Sequence, residues 1–123
     1  MTDFPLLFSP VRLGRLTLPN RIVMAAMETN LADAAGRVTE PLLAHYRRRA
    51  AGGVAMVTVE YTCIDQTEGK GSAIQLALDR DDLVEGHARL AATIAAAGSL
   101  PCLQLHHAGR QTSPRFLDGR QPV

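Results

Sequence analysis

The sequence has no apolar run approaching the roughly 20 residues that a membrane helix needs, so no helical span is expected. It also lacks an N-terminal basic segment followed by an apolar one. The opening Met1-Thr2-Asp3-Phe4-Pro5 therefore reads as the start of a cytoplasmic chain. An excess of charge of one sign is missing too: 13 Lys and Arg against 12 Asp and Glu leave a formal +1, and no global field selects nucleic acid or an anionic membrane. Cysteine is scarce. Cys63 and Cys102 stand far apart in no metal-type spacing, which favours two structural thiols over a disulfide or a ligand pair. Repeats and low-complexity linkers are absent. What remains is a balance of 46% hydrophobic and 20% charged residues over 123 positions, enough to build a globular core.

That core is organised as alternating strand-like and helix-like segments. Val11-Arg12-Leu13 and Leu16-Thr17-Leu18 flank Gly14-Arg15, a short hairpin signal, and Pro19-Asn20 stops it. Arg21 to Ala25 is a short apolar strand, followed by a loop of small and polar residues from Glu28 to Arg37. Thr39 caps a helix with Glu40 and Pro41 in its first turn. Leu42, Leu43, Tyr46 and Ala50 recur at helical spacing until Gly52-Gly53 ends it. Val54 to Val59 is a β-branched run expected to be covered on both faces, as in a parallel sheet. Asp81 or Asp82 then caps a helix with Leu83, Val84, Leu90, Ala91 and Ile94 on one face and Gly98 at its end, and Pro101 to Leu105 is a third strand.

A hairpin followed by β-α-β-α-β implies a parallel sheet with helices outside, either doubly wound or part of a (β/α)8 barrel. Two features favour the TIM barrel: a hairpin suited to plugging the barrel bottom, and the lack of a Gly-rich phosphate turn after the first strand, where Met24-Ala25-Ala26-Met27 stands instead. Such a barrel takes about 250 residues, so residues 1–123 supply the hairpin and about the first three strands of one domain. Barrel chemistry sits at the C-terminal strand ends. Here those ends carry Ala25-Ala26-Met27-Glu28, Glu60-Tyr61-Thr62 and Gln104 to Arg110, and the connections from Thr62 to Leu78 and from Ala108 onward are longer than usual.

Three strings make the reading specific: Leu7-Phe8-Ser9-Pro10 with Leu18 to Met27, His45-Tyr46 with Arg49-Ala50 before Gly52-Gly53, and Leu103-Gln104-Leu105-His106-His107-Ala108-Gly109-Arg110. In this order they resemble the N-terminal part of the old yellow enzyme and 2,4-dienoyl-CoA reductase family, over about Leu7 to Arg110. The resemblance implies FMN at the barrel mouth, NADH or NADPH as reductant, and hydride passed from N5 of reduced FMN to an α,β-unsaturated carbonyl or enoyl-CoA, a small-molecule substrate. It places the backbone of Ala25, Ala26 and Met27 along the isoalloxazine, Tyr61 where the second strand meets the flavin, and Gln104 at the pyrimidine edge. There a neutral amide matches alternating C=O and N–H groups. His107 takes the position of the family's histidine, His106 a more variable one; adjacent on a strand end, they face opposite sides. Arg110 opens the next loop, either in reach of a ribityl, phosphate or substrate oxygen or as a solvated loop arginine, and no third ligand makes the histidines a metal site.

Two positions depart from the family's pattern. Glu28 stands where a flavin-tuning Cys or Thr is common, and Tyr61 where many ene-reductases have a small residue. With Glu28, His107 and Arg110 as substrate contacts, a carboxylate beside an aromatic ring also suits a cationic amine, as in the related amine dehydrogenase and demethylase branch. A 4Fe-4S cluster belongs to that reading only in an extended protein. The plainer alternative leaves Glu28 in solvent and Tyr61 as packing. A non-catalytic barrel fragment is the remaining reading. The family's catalytic groups fall beyond Val123, so the expected partner is the remaining C-terminal portion of the barrel as a second chain, homo-oligomeric when complete. Elsewhere, Arg47-Arg48-Arg49 reads as solvated surface, Met24 and Met56 as core, and His45 and His87 as packing or surface residues.

Overall fold

The computed structural model describes residues 3–122. Strands β1 (Val11–Leu13) and β2 (Leu16–Leu18) pair antiparallel around Gly14, whose φ of 59° explains the glycine in this turn. The other three strands form a parallel sheet in the order β3 (Val23–Met24), β4 (Met56–Cys63), β5 (Leu100–His106). Helix α1 (Glu40–Ala50) connects the first pair of parallel strands and α2 (Val84–Ala96) the second. The sheet and its two crossovers are the expected β-α-β-α-β unit.

Helix α1 begins where the hydroxyl of Thr39 accepts from the Leu42 amide at 3.3 Å, with Pro41 in the first turn, where a missing N–H costs nothing. Its buried stripe, Leu42, Leu43, Tyr46 and Ala50, packs against Val57 and Val59 of β4 and against Leu90 and Ile94 of α2. Arg47, Arg48 and Arg49 are exposed in its last turn, where positive charge favours the helix C-terminus.

Several expectations are corrected. Strand β3 is two residues long, because only Val23 and Met24 find rungs on β4. Strand β4 runs four residues past Val59, because Thr62 and Cys63 pair with Leu105 and His106. Its Val57 and Val59 face is buried under the helices, and Met56 and Thr58 on the other face are half-buried within these residues. Neither aspartate caps α2. Asp81–Leu83 form a 3-10 turn after Arg80, and the Asp82 carboxylate pairs instead with Arg37 at 2.6 Å and Arg80 at 2.8 Å. Val84 is exposed while Leu83, Leu90 and Ile94 are buried. Cys63 is buried and Cys102 exposed, both as free thiols.

Candidate active site at the C-terminal strand ends

The ladder between β4 and β5 contains one irregularity. Val59 pairs with Leu103 and Thr62 with Leu105, so Glu60 and Tyr61 together stand opposite Gln104. This is a β-bulge, a device that re-aims side chains and recurs beside active sites. Glu60 and Tyr61 therefore lie inside the strand at the bulge, three and two residues before its end, rather than at the strand end itself.

Glu60 is fully buried. One carboxylate oxygen accepts from the Thr29 amide at 3.1 Å and the Tyr46 hydroxyl at 3.2 Å, and the same hydroxyl accepts from the Glu60 amide at 2.7 Å. The other oxygen, Oε1, has no partner among the described residues. Burial pushes the Glu60 carboxyl above its ordinary range. The bonds from Thr29 and Tyr46 oppose that rise, and the charge of Glu28 adds to it. Burial likewise raises the Tyr46 phenol. This pair joins α1, β4 and the loop after β3, the loop that carries Ala25 to Glu28.

Above the bulge, Tyr61 packs edge-on against the His106 ring, with centroids 4.5 Å apart. Gln75, fully buried in the loop after β4, ties the two together. Its Nε2 lies 3.3 Å from the Tyr61 carbonyl and 3.1 Å from His106 Nδ1, and its Oε1 accepts from the Gly71 amide at 2.7 Å. A Cβ on Gly71 would lie 3.2 Å from both the His106 and Tyr61 rings, so a side chain there would press on both. Glu28 is exposed, and its carboxylate accepts from the Ser72 hydroxyl; both groups act on the Tyr61 phenol, which burial raises above its ordinary value. Burial and the neighbouring His107 lower His106, and Glu28 offsets part of the effect.

The other expected residues are placed as follows. Ala25 and Met27 are exposed and Ala26 half-buried in the segment leaving β3. Gln104 is exposed on β5 and its amide bonds to no other described residue. Because Leu103 packs on the helical core, the period of two puts Gln104 and His106 together on the opposite, inner face of β5. His107 lies beyond the strand and is turned differently. Its Nδ1 accepts from the Gly109 amide at 3.0 Å, and its ring lies against Gly69, where a Cβ would be 2.5 Å from it. Arg110 is exposed in the 3-10 turn Gly109–Gln111 and makes no ion pair with a described residue. The two long connections are stapled to each other: the Ala108 amide donates to Gly69 O at 2.9 Å, Thr112 to Lys70 O, and Arg120 to Thr67 O at 2.6 Å. Among the described residues no group of three His, Cys, Asp or Glu could hold a metal, and no helix is long and apolar enough to cross a membrane.

Sequence reasoning missed Gln75, Ser72 and Gly71. The unusual length of their loop was the one signal available. His45 Nε2 is buried with no partner among the described residues, and His87 donates from Nε2 to the Ala77 carbonyl at 2.8 Å, a packing role for each.

The chain is 46% identical over 123 residues to the NADH oxidase of Thermoanaerobacter brockii, covering all of this chain and 19% of that protein. It superposes on 2-naphthoyl-CoA reductase in complex with 2-naphthoyl-CoA with a TM-score of 0.90 at 26% identity, over 98% of this chain and 20% of that one. On an old yellow enzyme homologue from Zymomonas mobilis the TM-score is 0.87 at 33% identity, over 97% and 32%. The chain thus spans about a fifth of the length of the first relative, and its fold is that of the hairpin and first three strands of the old yellow enzyme TIM barrel. With residues 6–121 matching the family as a whole, the chain belongs to the NADH:flavin oxidoreductase / NADH oxidase family.

Proposed function

We propose that the chain forms part of an FMN-dependent NAD(P)H oxidoreductase of ene-reductase type, with an α,β-unsaturated carbonyl or enoyl-CoA as substrate. The observation that carries the reading is Gln104: an exposed amide with no intramolecular bond among the described residues, on the inner face of β5 beside His106. A neutral side chain left with both donor and acceptor free fits a flavin edge. The exposed Met27, at 66%, adds apolar surface at the same end of the sheet for a ring system. When bound, FMN would supply hydride from its N5. The chain's own residues would bind and orient: Ala25, Ala26 and Met27 against the ring, Tyr61 from the β4 bulge, Gln104 at the pyrimidine edge, and Glu28, His107 and Arg110 toward substrate. The remaining groups, including proton donors and phosphate ligands, belong to the rest of the barrel, which we propose as the partner segment or chain.

The test is visible flavin absorbance of the protein assembled with that remainder, followed by oxidation of NADH or NADPH with 2-cyclohexenone. A colourless, correctly assembled barrel refutes the reading. The contact of Glu28 with Ser72 and its action on Tyr61 support a second reading, an amine dehydrogenase or demethylase, because they place a carboxylate by an aromatic ring. Flavin bleaching by a tertiary methylamine, without bleaching by NADH or NADPH, would select it.

A further inference from the structure

Gln75 has three contacts that fix its amide in one orientation. The Gly71 amide can only donate, so the oxygen of Gln75 must face it; the Tyr61 carbonyl can only accept, so the nitrogen must face Tyr61. The second N–H of that nitrogen is then directed at His106 Nδ1, 3.1 Å away, which must accept. A neutral imidazole whose Nδ1 accepts carries its proton on Nε2. Nε2 bonds to no other described residue and is not one of the buried side-chain atoms left without a partner, so it is open for a further bond. The charged form is disfavoured as well, since a proton on Nδ1 would set two donors against each other, and burial already lowers this histidine.

We propose that Gln75 is a positioning residue that locks His106 in the Nε2–H tautomer, so that His106 offers a hydrogen-bond donor to a carbonyl oxygen of the substrate. The proposal rests on the ene-reductase reading and sharpens it. A fixed N–H donor complements a ketone or thioester oxygen and opposes a protonated amine, which brings only donors of its own. His106 shares the inner face of β5 with Gln104, so a group recognised by it stands on the flavin side of the strand.

Nitrogen-15 NMR of the histidine-labelled, flavin-loaded enzyme at neutral pH reads the tautomer directly. His106 should show an unprotonated Nδ1 and a protonated Nε2. An Nδ1–H tautomer, or an even mixture, overturns the proposal without the need of any variant. In Gln75→Glu the group facing Nδ1 becomes an acceptor, and His106 should move to Nδ1–H or the imidazolium; an unchanged pattern in the folded variant also overturns it. For the substrate contact, His106→Leu should raise KM for 2-cyclohexenone about 10-fold with flavin content unchanged, and His106→Gln, which keeps a donor, should restore most of it. Equal KM in all three proteins overturns that part. A parent enzyme that binds no flavin refutes the proposed function, while the tautomer measurement still decides the role of Gln75.

Discussion

Replacing Tyr46 by Phe removes one hydroxyl and disturbs two buried groups at once. The ring is fully buried, so no water takes the place of the lost oxygen. The Glu60 amide loses its acceptor at 2.7 Å, and the Glu60 carboxylate loses one of its two donors and keeps only the Thr29 amide. An orphaned buried donor costs about 1–3 kcal/mol and a bond to a charged group contributes about 1.5–3 kcal/mol, so the variant should be less stable by about 2.5–6 kcal/mol where Glu60 is ionised. The deficit should depend on pH. Glu60 has a folded pKa raised by burial, so its contribution is fully present below the unfolded value of about 4.3 and is lost as pH rises through the folded value. Removing Tyr46 takes away one of the bonds that restrain this rise. The deficit should therefore be smallest in acid and grow as pH climbs above about 4.3 and through the raised folded value. Chemical denaturation of parent and variant at about pH 5 and about pH 8 measures it. A deficit below about 1 kcal/mol, or one that shrinks toward alkaline pH, would refute the account of this pair.

Gln104→Leu should weaken FMN binding by about 1–3 kcal/mol, read by flavin titration; unchanged affinity and redox potential would remove Gln104 from the flavin edge. Ala26→Trp should block flavin entry, and a full flavin complement in that variant would show that the segment after β3 lies elsewhere. Gly36→Ala should destabilise by about 2–4 kcal/mol, because its φ is 78° and a Cβ would sit 2.5 Å from that of Ala77; a neutral result by thermal melting would contradict that close approach. Residues 1–123 produced without the rest of the barrel expose the free edge of β5 and should aggregate, with the remainder restoring a monodisperse yellow species. A monodisperse, colourless, cooperatively unfolding short chain would contradict this.

Much of the fold was legible because its signals are local. Thr39 before Glu40-Pro41, the stripe Leu42, Leu43, Tyr46 and Ala50, and the glycines at 14, 53 and 98 act within a few residues of themselves, and each holds in the structure. The misreadings have a common physical cause in contacts distant along the chain. Asp82 resembles a cap in sequence, yet Arg37, 45 residues earlier, takes its carboxylate. Strand β4 extends to Cys63 because β5 and the returning Ala77 supply its partners. The strand ends that carry the site could be found by the alternation of elements. Gln75 could not, since an isolated Gln in a polar loop has no period and its role depends on His106, 31 residues later.

The bulge in β4 acts as a frameshift confined to one strand. Up to Val59 the odd-numbered residues of β4 face the helices, and unbroken alternation would have sent Tyr61 after Val57 and Val59 into the helical core. Because one extra residue is accommodated opposite Gln104, Thr62 falls on the rung of Leu105, and the Tyr61 ring comes instead to His106. The residue count of this strand, and not only the identity of its side chains, thus decides whether an aromatic ring reaches the mouth. Recombining β4 from a relative with an unbroken ladder would exchange the phase of every position after Val59, so a chimera could keep Tyr61 in its sequence and still lose it from the site.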